Sequence, residues 1–192
     1  MIRIAVLGGV GSGKTYIAKQ FGYPVFNADV QVDKLYKQNR KCYKKLKKVL
    51  PGFVSSFPVK KSDLTKAIMS NRQNLKKIVK VVHPEVRNRM NDFIKKNRNK
   101  KFVILDIPLF LENKINKKKD ILIFIDAKQK EINKRLKKRL NFNAKIVKKF
   151  KKIQLSVERK KKKSDYVIKN NFNNYSSKKN VRKVLEKIIL NA

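Results

Sequence analysis

Apolar residues follow two rhythms along this chain: short unbroken runs, and longer stretches in which they recur every three or four positions. Ile2-Arg3-Ile4-Ala5-Val6-Leu7, Phe102-Val103-Ile104-Leu105-Asp106 and Ile121-Leu122-Ile123-Phe124-Ile125-Asp126 are of the first kind. Such runs read as strands covered on both faces. Pro24-Val25-Phe26 and Tyr166-Val167-Ile168 are shorter versions. Between them, helical spacing predicts helices over Tyr16–Phe21, Val30–Leu50, Leu64 to Val82, Pro84 to about Arg98, Ala127–Arg139 and Lys178–Leu190. The last of these puts Val181, Val184, Leu185, Ile188 and Ile189 on one face. Pro51-Gly52 stops the second helix, Ser62 or Asp63 is placed to cap the third, Pro84 to open the fourth, and Asp126 to cap the fifth. Asn141–Lys163 has helical spacing with few large apolar residues, which places it partly off the core. Apolar strands alternating with helices predict an α/β fold on a parallel sheet.

Composition narrows the class. With 192 residues and 41% apolar content, the chain suits one domain with a real core and excludes general disorder. A single cysteine, Cys42, excludes an internal disulfide scaffold. The apolar runs are strand-sized, too short for a membrane span, and the first strand leads directly into a glycine loop with no room for a signal peptide. A soluble, cytoplasmic protein with no membrane partner is expected. The formal charge of +39 favours anionic partners: phosphates, nucleic acid or anionic lipid. Nucleic-acid readers concentrate charge on one face and interleave aromatics. Here lysine occurs nearly everywhere and tryptophan is absent, so the charge reads as compositional drift and no specific nucleic-acid partner is expected.

The most informative segment is Gly8-Gly9-Val10-Gly11-Ser12-Gly13-Lys14-Thr15, which fits G-x-x-x-x-G-K-[ST] between a strand and a helix. Glycines let the backbone wrap a phosphate and point its N–H groups inward, and the helix start adds positive potential. Lys14 can reach the β- and γ-phosphates, and the Thr15 hydroxyl can hold Mg²⁺. Gly8, Gly9, Gly11 and Gly13 are four of only six glycines, so glycine is kept where the chemistry needs it. A nucleoside triphosphate is implied. The absence of a guanine-reading N/T-K-x-D motif points to a small-molecule kinase.

Other polar positions carry two readings each. Asp29, closing the second strand in a position read as adjacent to the first, reads as an orienter or base for an acceptor hydroxyl, or as a helix N-cap. His83, the only histidine, reads as a ligand contact or a buried hydrogen-bonder. Asp106 reads as a metal or substrate contact, or as the end of a strand before Pro108. Arg135 and Arg139, four apart, read as a phosphate-closing pair or a solvated face. Three functions stay open on these residues: a phosphoryl transferase of one small molecule, another nucleoside or nucleotide kinase, and a basic nucleic-acid binder with a vestigial ATP site.

Taken together, G-G-V-G-S-G-K-T, P-V-F-N-A-D, H-P-E-V-R, L-D-I-P-L-F-L-E-N-K, R-L-K-K-R and Q-L-S-V-E-R-K-K-K-K-S-D-Y-V-I-K-N-N resemble the dephospho-CoA kinase family, in order and spacing from residue 2 to about 171. The resemblance implies a P-loop NTPase-type three-layer fold with a five-stranded parallel sheet. Its core would span about 1–32, 99–139 and 164–192, with a helical CoA-binding insertion at about 33–98 and a lid at about 140–163. It implies transfer of the γ-phosphate of ATP to the ribose 3′-hydroxyl of dephospho-CoA, the last step of coenzyme A synthesis, with Mg²⁺, by a monomer or small homo-oligomer. Val10, Gly11, Ser12, Gly13, Lys14 and Thr15 would bind ATP and Mg²⁺, with Asn170 near the adenine. Asp29 would serve the acceptor hydroxyl and Arg139 would be the lid arginine. His83, Pro84, Arg87, Leu109 and Glu112 would contact the CoA substrate. Two positions depart from the family pattern: Asn27 stands where D-A-D is usual, and Asn170-Asn171-Phe172 where N-x-G is usual.

Overall fold

All five apolar runs form strands in the computed structural model, which describes residues 1–138 and 153–191. They are β1 (Ile2–Leu7), β2 (Val25–Asn27), β3 (Phe102–Asp106), β4 (Ile121–Asp126) and β5 (Tyr166–Lys169). The sheet is parallel, with the order β2-β3-β1-β4-β5. β3 is buried at every residue and β1 at all but its first, as central parallel strands should be. The one charge inside β1, Arg3, is buried and donates from Nε to Asp120 Oδ1 at 2.7 Å, just ahead of β4. Expected neighbours β1 and β2 are not adjacent. β3 lies between them and pairs with both, in registers Ile4↔Ile104 and Asn27↔Asp106. A right-handed crossover that skips a position leaves room for this later strand.

By internal contacts the chain divides into two units, residues 1–27 with 97–192, and residues 28–96. The first holds the sheet with α1 (Lys14–Gln20), α6 (Gln129–Lys137), α7 (Val157–Lys162) and α8 (Asn174–Leu190). Its core joins Ile4, Val6, Ile104, Ile123 and Ile125 from the strands to Ile17, Ala18, Val181 and Ile188 from the helices. Val184 and Leu185 pack at its edge, whereas Ile189 is exposed.

The second unit is helical: α2 (Ala28–Gln38), α3 (Arg40–Val49), α4 (Lys61–Ser70) and α5 (Arg72–Lys96). It has its own core, built on Leu35, Cys42, Leu46, Leu50, Val54, Leu64, Ile78 and Val82. The Cys42 thiol is fully buried there, and burial, aided by the charge of Glu85, raises its pKa.

Helix ends differ from expectation in instructive ways. The 30–50 stretch is two helices, because Asn39 turns extended and caps α3 by accepting from Cys42 N at 2.8 Å. Pro84 does not open a helix; it lies inside the continuous α5. Proline deprives the carbonyl four residues back of a donor, and both Pro84 and Lys80 are exposed, so water can serve that carbonyl. Asp126 does not cap α6, which starts after Lys128; it pairs with Lys161 at 2.7 Å instead. Ser62 and Asp63 fall within the first turn of α4, behind Lys60. α8 begins four residues earlier than expected, capped by Asn173, which accepts from Ser176 N at 3.0 Å. Among the described residues, no helix is long and apolar enough to cross a membrane.

Candidate active site

The phosphate loop leaves the carboxyl end of β1 where the chain's order reverses, with β3 on one side and β4 on the other. Parallel sheets present their ligand crevice at this switch point. Two glycines are demanded by geometry. Gly8, at φ 149°, would carry a Cβ 2.7 Å from Ser12 Oγ and 3.0 Å from the Ile125 carbonyl. Gly13, at φ 89°, opens α1 in the left-handed region and would carry one 2.4 Å from Asn170 Nδ2. Ser12 N donates to Gly9 O at 3.2 Å, closing the turn. Val10 and Gly11 are half-buried on its rim. Lys14 Nζ lies along the loop, donating to the carbonyls of Gly8 (3.2 Å) and Gly9 (2.8 Å). Ser12 Oγ is buried without a hydrogen-bond partner among the described residues.

Register builds the next layer. Pairing of Asn27 with Asp106 sets these two strand-end side chains on the same face of adjacent parallel strands. Asp106, 3% exposed, gathers two donors on Oδ2: Thr15 Oγ1 at 2.6 Å and Asn27 Nδ2 at 2.5 Å. Asp106 thus ends its strand and also meets the phosphate loop's hydroxyl. The sequence signal for this was the acid at the strand's carboxyl end; its partner was not readable without the strand order.

Asn170 supports the loop from β5. Its Nδ2 donates to Ser12 O at 2.9 Å, while Oδ1 accepts from Phe172 N (3.0 Å) and Ser177 Oγ (3.1 Å). The side chain is buried and bound to protein on both ends, a strut beneath the loop. Phe172 takes the left-handed φ of 62° that glycine adopts more cheaply. Its ring is covered by the Arg135 guanidinium, 4.6 Å from the centroid. Phe172→Gly is expected to be more stable than Phe172→Ala by about 1 kcal/mol, because both lose the ring but only alanine keeps the left-handed penalty. Urea unfolding measures the difference, and equal stabilities would show that the turn relaxes.

Past β3, Leu109 and Glu112 are half-buried. Glu112 Oε1 accepts from Lys160 Nζ at 2.8 Å and from Leu155 N at 2.8 Å, and Oε2 is buried with no partner among the described residues. Lys160 is 2% exposed, although it stands in a four-lysine run. Arg139 and residues 140–152 of the expected lid lie outside the described residues.

The remaining sequence candidates belong to the helical unit. Asp29 is exposed in the first turn of α2, one residue inside the helix, so it complements the helix dipole without being the N-cap. His83, Pro84 and Arg87 lie on α5, where His83 is half-buried and the other two are exposed. Burial, and then the charge of Arg87, lowers the His83 pKa.

Thr15 and Asp106 offer hard oxygen donors beside a phosphate loop, a set suited to Mg²⁺ shared with phosphate oxygens. No group of three His, Cys, Asp or Glu side chains able to hold a metal occurs among the described residues.

A family model described as dephospho-CoA kinase matches residues 2–176. A dephospho-CoA kinase from Wolbachia sp. subsp. Brugia malayi is 34% identical over 170 residues, covering 86% of this chain and 87% of that one. In structure, TT1252 from Thermus thermophilus aligns with a TM-score of 0.80 at 24% identity, over 97% of this chain and 96% of that one. A dephospho-CoA kinase from Campylobacter jejuni aligns at 0.65 and 23%, with the same coverage, and thus shares the fold.

Proposed function

Because this chain belongs to the dephospho-CoA kinase family and phosphorylates dephospho-CoA with ATP, we propose how its residues divide that reaction. The phosphate loop from Val10 to Thr15 wraps the β- and γ-phosphates with backbone N–H groups, and Lys14 supplies the neutralising charge. Thr15, backed by Asp106, would hold Mg²⁺, which when bound offsets charge on the phosphate oxygens. Asp29 aims the ribose 3′-hydroxyl and accepts its proton as that oxygen bonds the γ-phosphorus and the bond from phosphorus to the β–γ bridging oxygen breaks, releasing ADP. Arg139, the lid arginine by resemblance to the family, would neutralise charge on the transferring group. By resemblance to the family, His83, Pro84 and Arg87 of the helical segment at about 33–98 contact the CoA substrate, and so do Leu109 and Glu112. Asn170 holds the loop's shape next to the adenine.

By resemblance to the family, the proposed setting is the cytoplasm and the proposed state a monomer or small homo-oligomer. The +39 charge needs no specific nucleic-acid partner, since both substrates are polyanions.

One observation carries the reading: an intact Lys14-Thr15 phosphate loop at the switch point of a chain that matches the family from residue 2 to 176. Incubation with ATP, Mg²⁺ and dephospho-CoA should yield ADP and a product heavier by one phosphate. Adenosine and a nucleoside monophosphate serve as control acceptors; turnover of those alone would overturn the substrate assignment. Asp29→Asn is expected to cut kcat by about 10²-fold or more while leaving ATP affinity intact. An unchanged kcat removes Asp29 from the chemistry.

A further inference from the structure

We propose that Asn27 is a positioning residue that stands in for a cation: its amide keeps the Thr15–Asp106 metal seat assembled in the free enzyme. The inference rests on the assignment of Thr15 and Asp106 to the ion. Asp106 is buried at the end of β3, where an ionised carboxylate needs donors to replace water. Two reach its Oδ2, the Thr15 hydroxyl at 2.6 Å and the Asn27 amide at 2.5 Å. The same amide nitrogen lies 3.4 Å from Thr15 Oγ1, so the three side chains form one closed cluster. Because Thr15 spends its proton on Asp106, its oxygen keeps one lone pair for an incoming ion beside the one that faces the Asn27 amide.

Position 27 is where the chemistry of the cluster is decided. An amide brings N–H donors, whereas a carboxylate brings only acceptors. Aspartate at 27 would set two acceptor-only groups against each other at the register pair Asn27↔Asp106. That contact is repulsive unless a cation lies between them. In this chain, therefore, the seat takes its shape before the ion arrives, and an aspartate there would make the local fold depend on the ion.

Thermal melting in EDTA and in saturating MgCl₂, without nucleotide, tests this. The parent should melt at nearly the same temperature in both. Asn27→Asp should melt lower in EDTA by about 4–8 °C and recover most of the loss with Mg²⁺. Asn27→Ala should melt lower in both, having neither a donor nor a ligand. Should Asn27→Asp be insoluble, the swapped pair Asn27→Asp with Asp106→Asn decides, since one amide and one carboxylate again face each other. The swap should melt near the parent in EDTA. Parent-like melting of Asn27→Asp in EDTA, a loss that Mg²⁺ does not reverse, or a swap that melts well below the parent in EDTA each overturns the proposal. No substrate enters these measurements, so they stand apart from the dephospho-CoA assay: failed turnover with the expected melts would remove the catalytic assignment and leave the Asn27 clamp in place.

Discussion

Lys14→Ala is expected to abolish measurable turnover, a loss of at least about 10³-fold in kcat, while the protein stays folded. Phosphoryl transfer has little covalent chemistry for a protein to perform, so its rate depends on charge placed against the phosphate oxygens. Lys14 is the phosphate loop's cation, held by the carbonyls of Gly8 and Gly9 beside the seat a phosphate would take. A hydrogen bond to such a neutral carbonyl contributes only about 1 kcal/mol to the fold. Steady-state ADP release, with circular dichroism as the folding control, measures both halves. Turnover within tenfold of the parent would mean that another cation serves the γ-phosphate.

Lys160→Met is expected to destabilise the protein by about 3–5 kcal/mol, a large share of the roughly 5–15 kcal/mol that holds a domain together. Methionine fills much of the same volume, so the loss is electrostatic. With the ammonium gone, the Glu112 carboxylate keeps one identified donor, Leu155 N, in a site whose side chain is only 11% exposed. A buried charge deprived of its partner costs more than the pair contributes. Adding Glu112→Gln should therefore restore most of the stability, because an uncharged pair has no desolvation penalty of that size to meet. Urea unfolding of both variants checks the prediction, and a loss under about 1 kcal/mol for Lys160→Met would show that water screens the pair.

Lys160 also shows where sequence reading loses sight of the fold. Within Lys160-Lys161-Lys162-Lys163 nothing local separates the buried residue from the exposed ones. The difference is made by Glu112, which arrives from the turn after β3. Strands and phosphate loop were legible because their signals are local: unbroken apolar runs, and glycines retained in a chain that otherwise avoids them. The resemblance to a kinase family was legible for the same reason, being carried by short motifs in order.

What depended on strand order was not. Asp106 looked like either a metal contact or a strand end, and only the placement of β3 between β1 and β2 brings it to Thr15 and Asn27. Helix boundaries failed where one side chain overrides spacing, as Asn39 does by capping α3, or where exposure excuses a breaker, as at Pro84. Phe172 is a similar case: a left-handed turn that glycine would signal plainly is held by an aromatic residue under Arg135.

The buried thiol of Cys42 gives the protein a built-in reporter. Being the only cysteine and lying wholly inside the helical unit, it is shielded from alkylating reagents for as long as that unit stays closed. Its labelling rate thus counts every opening that exposes the core of residues 28–96, and dividing it by the rate of the unfolded chain gives the equilibrium constant of those openings. Followed with and without dephospho-CoA, the rate at which the alkylation mass shift grows would tell whether substrate slows those openings, with no mutation.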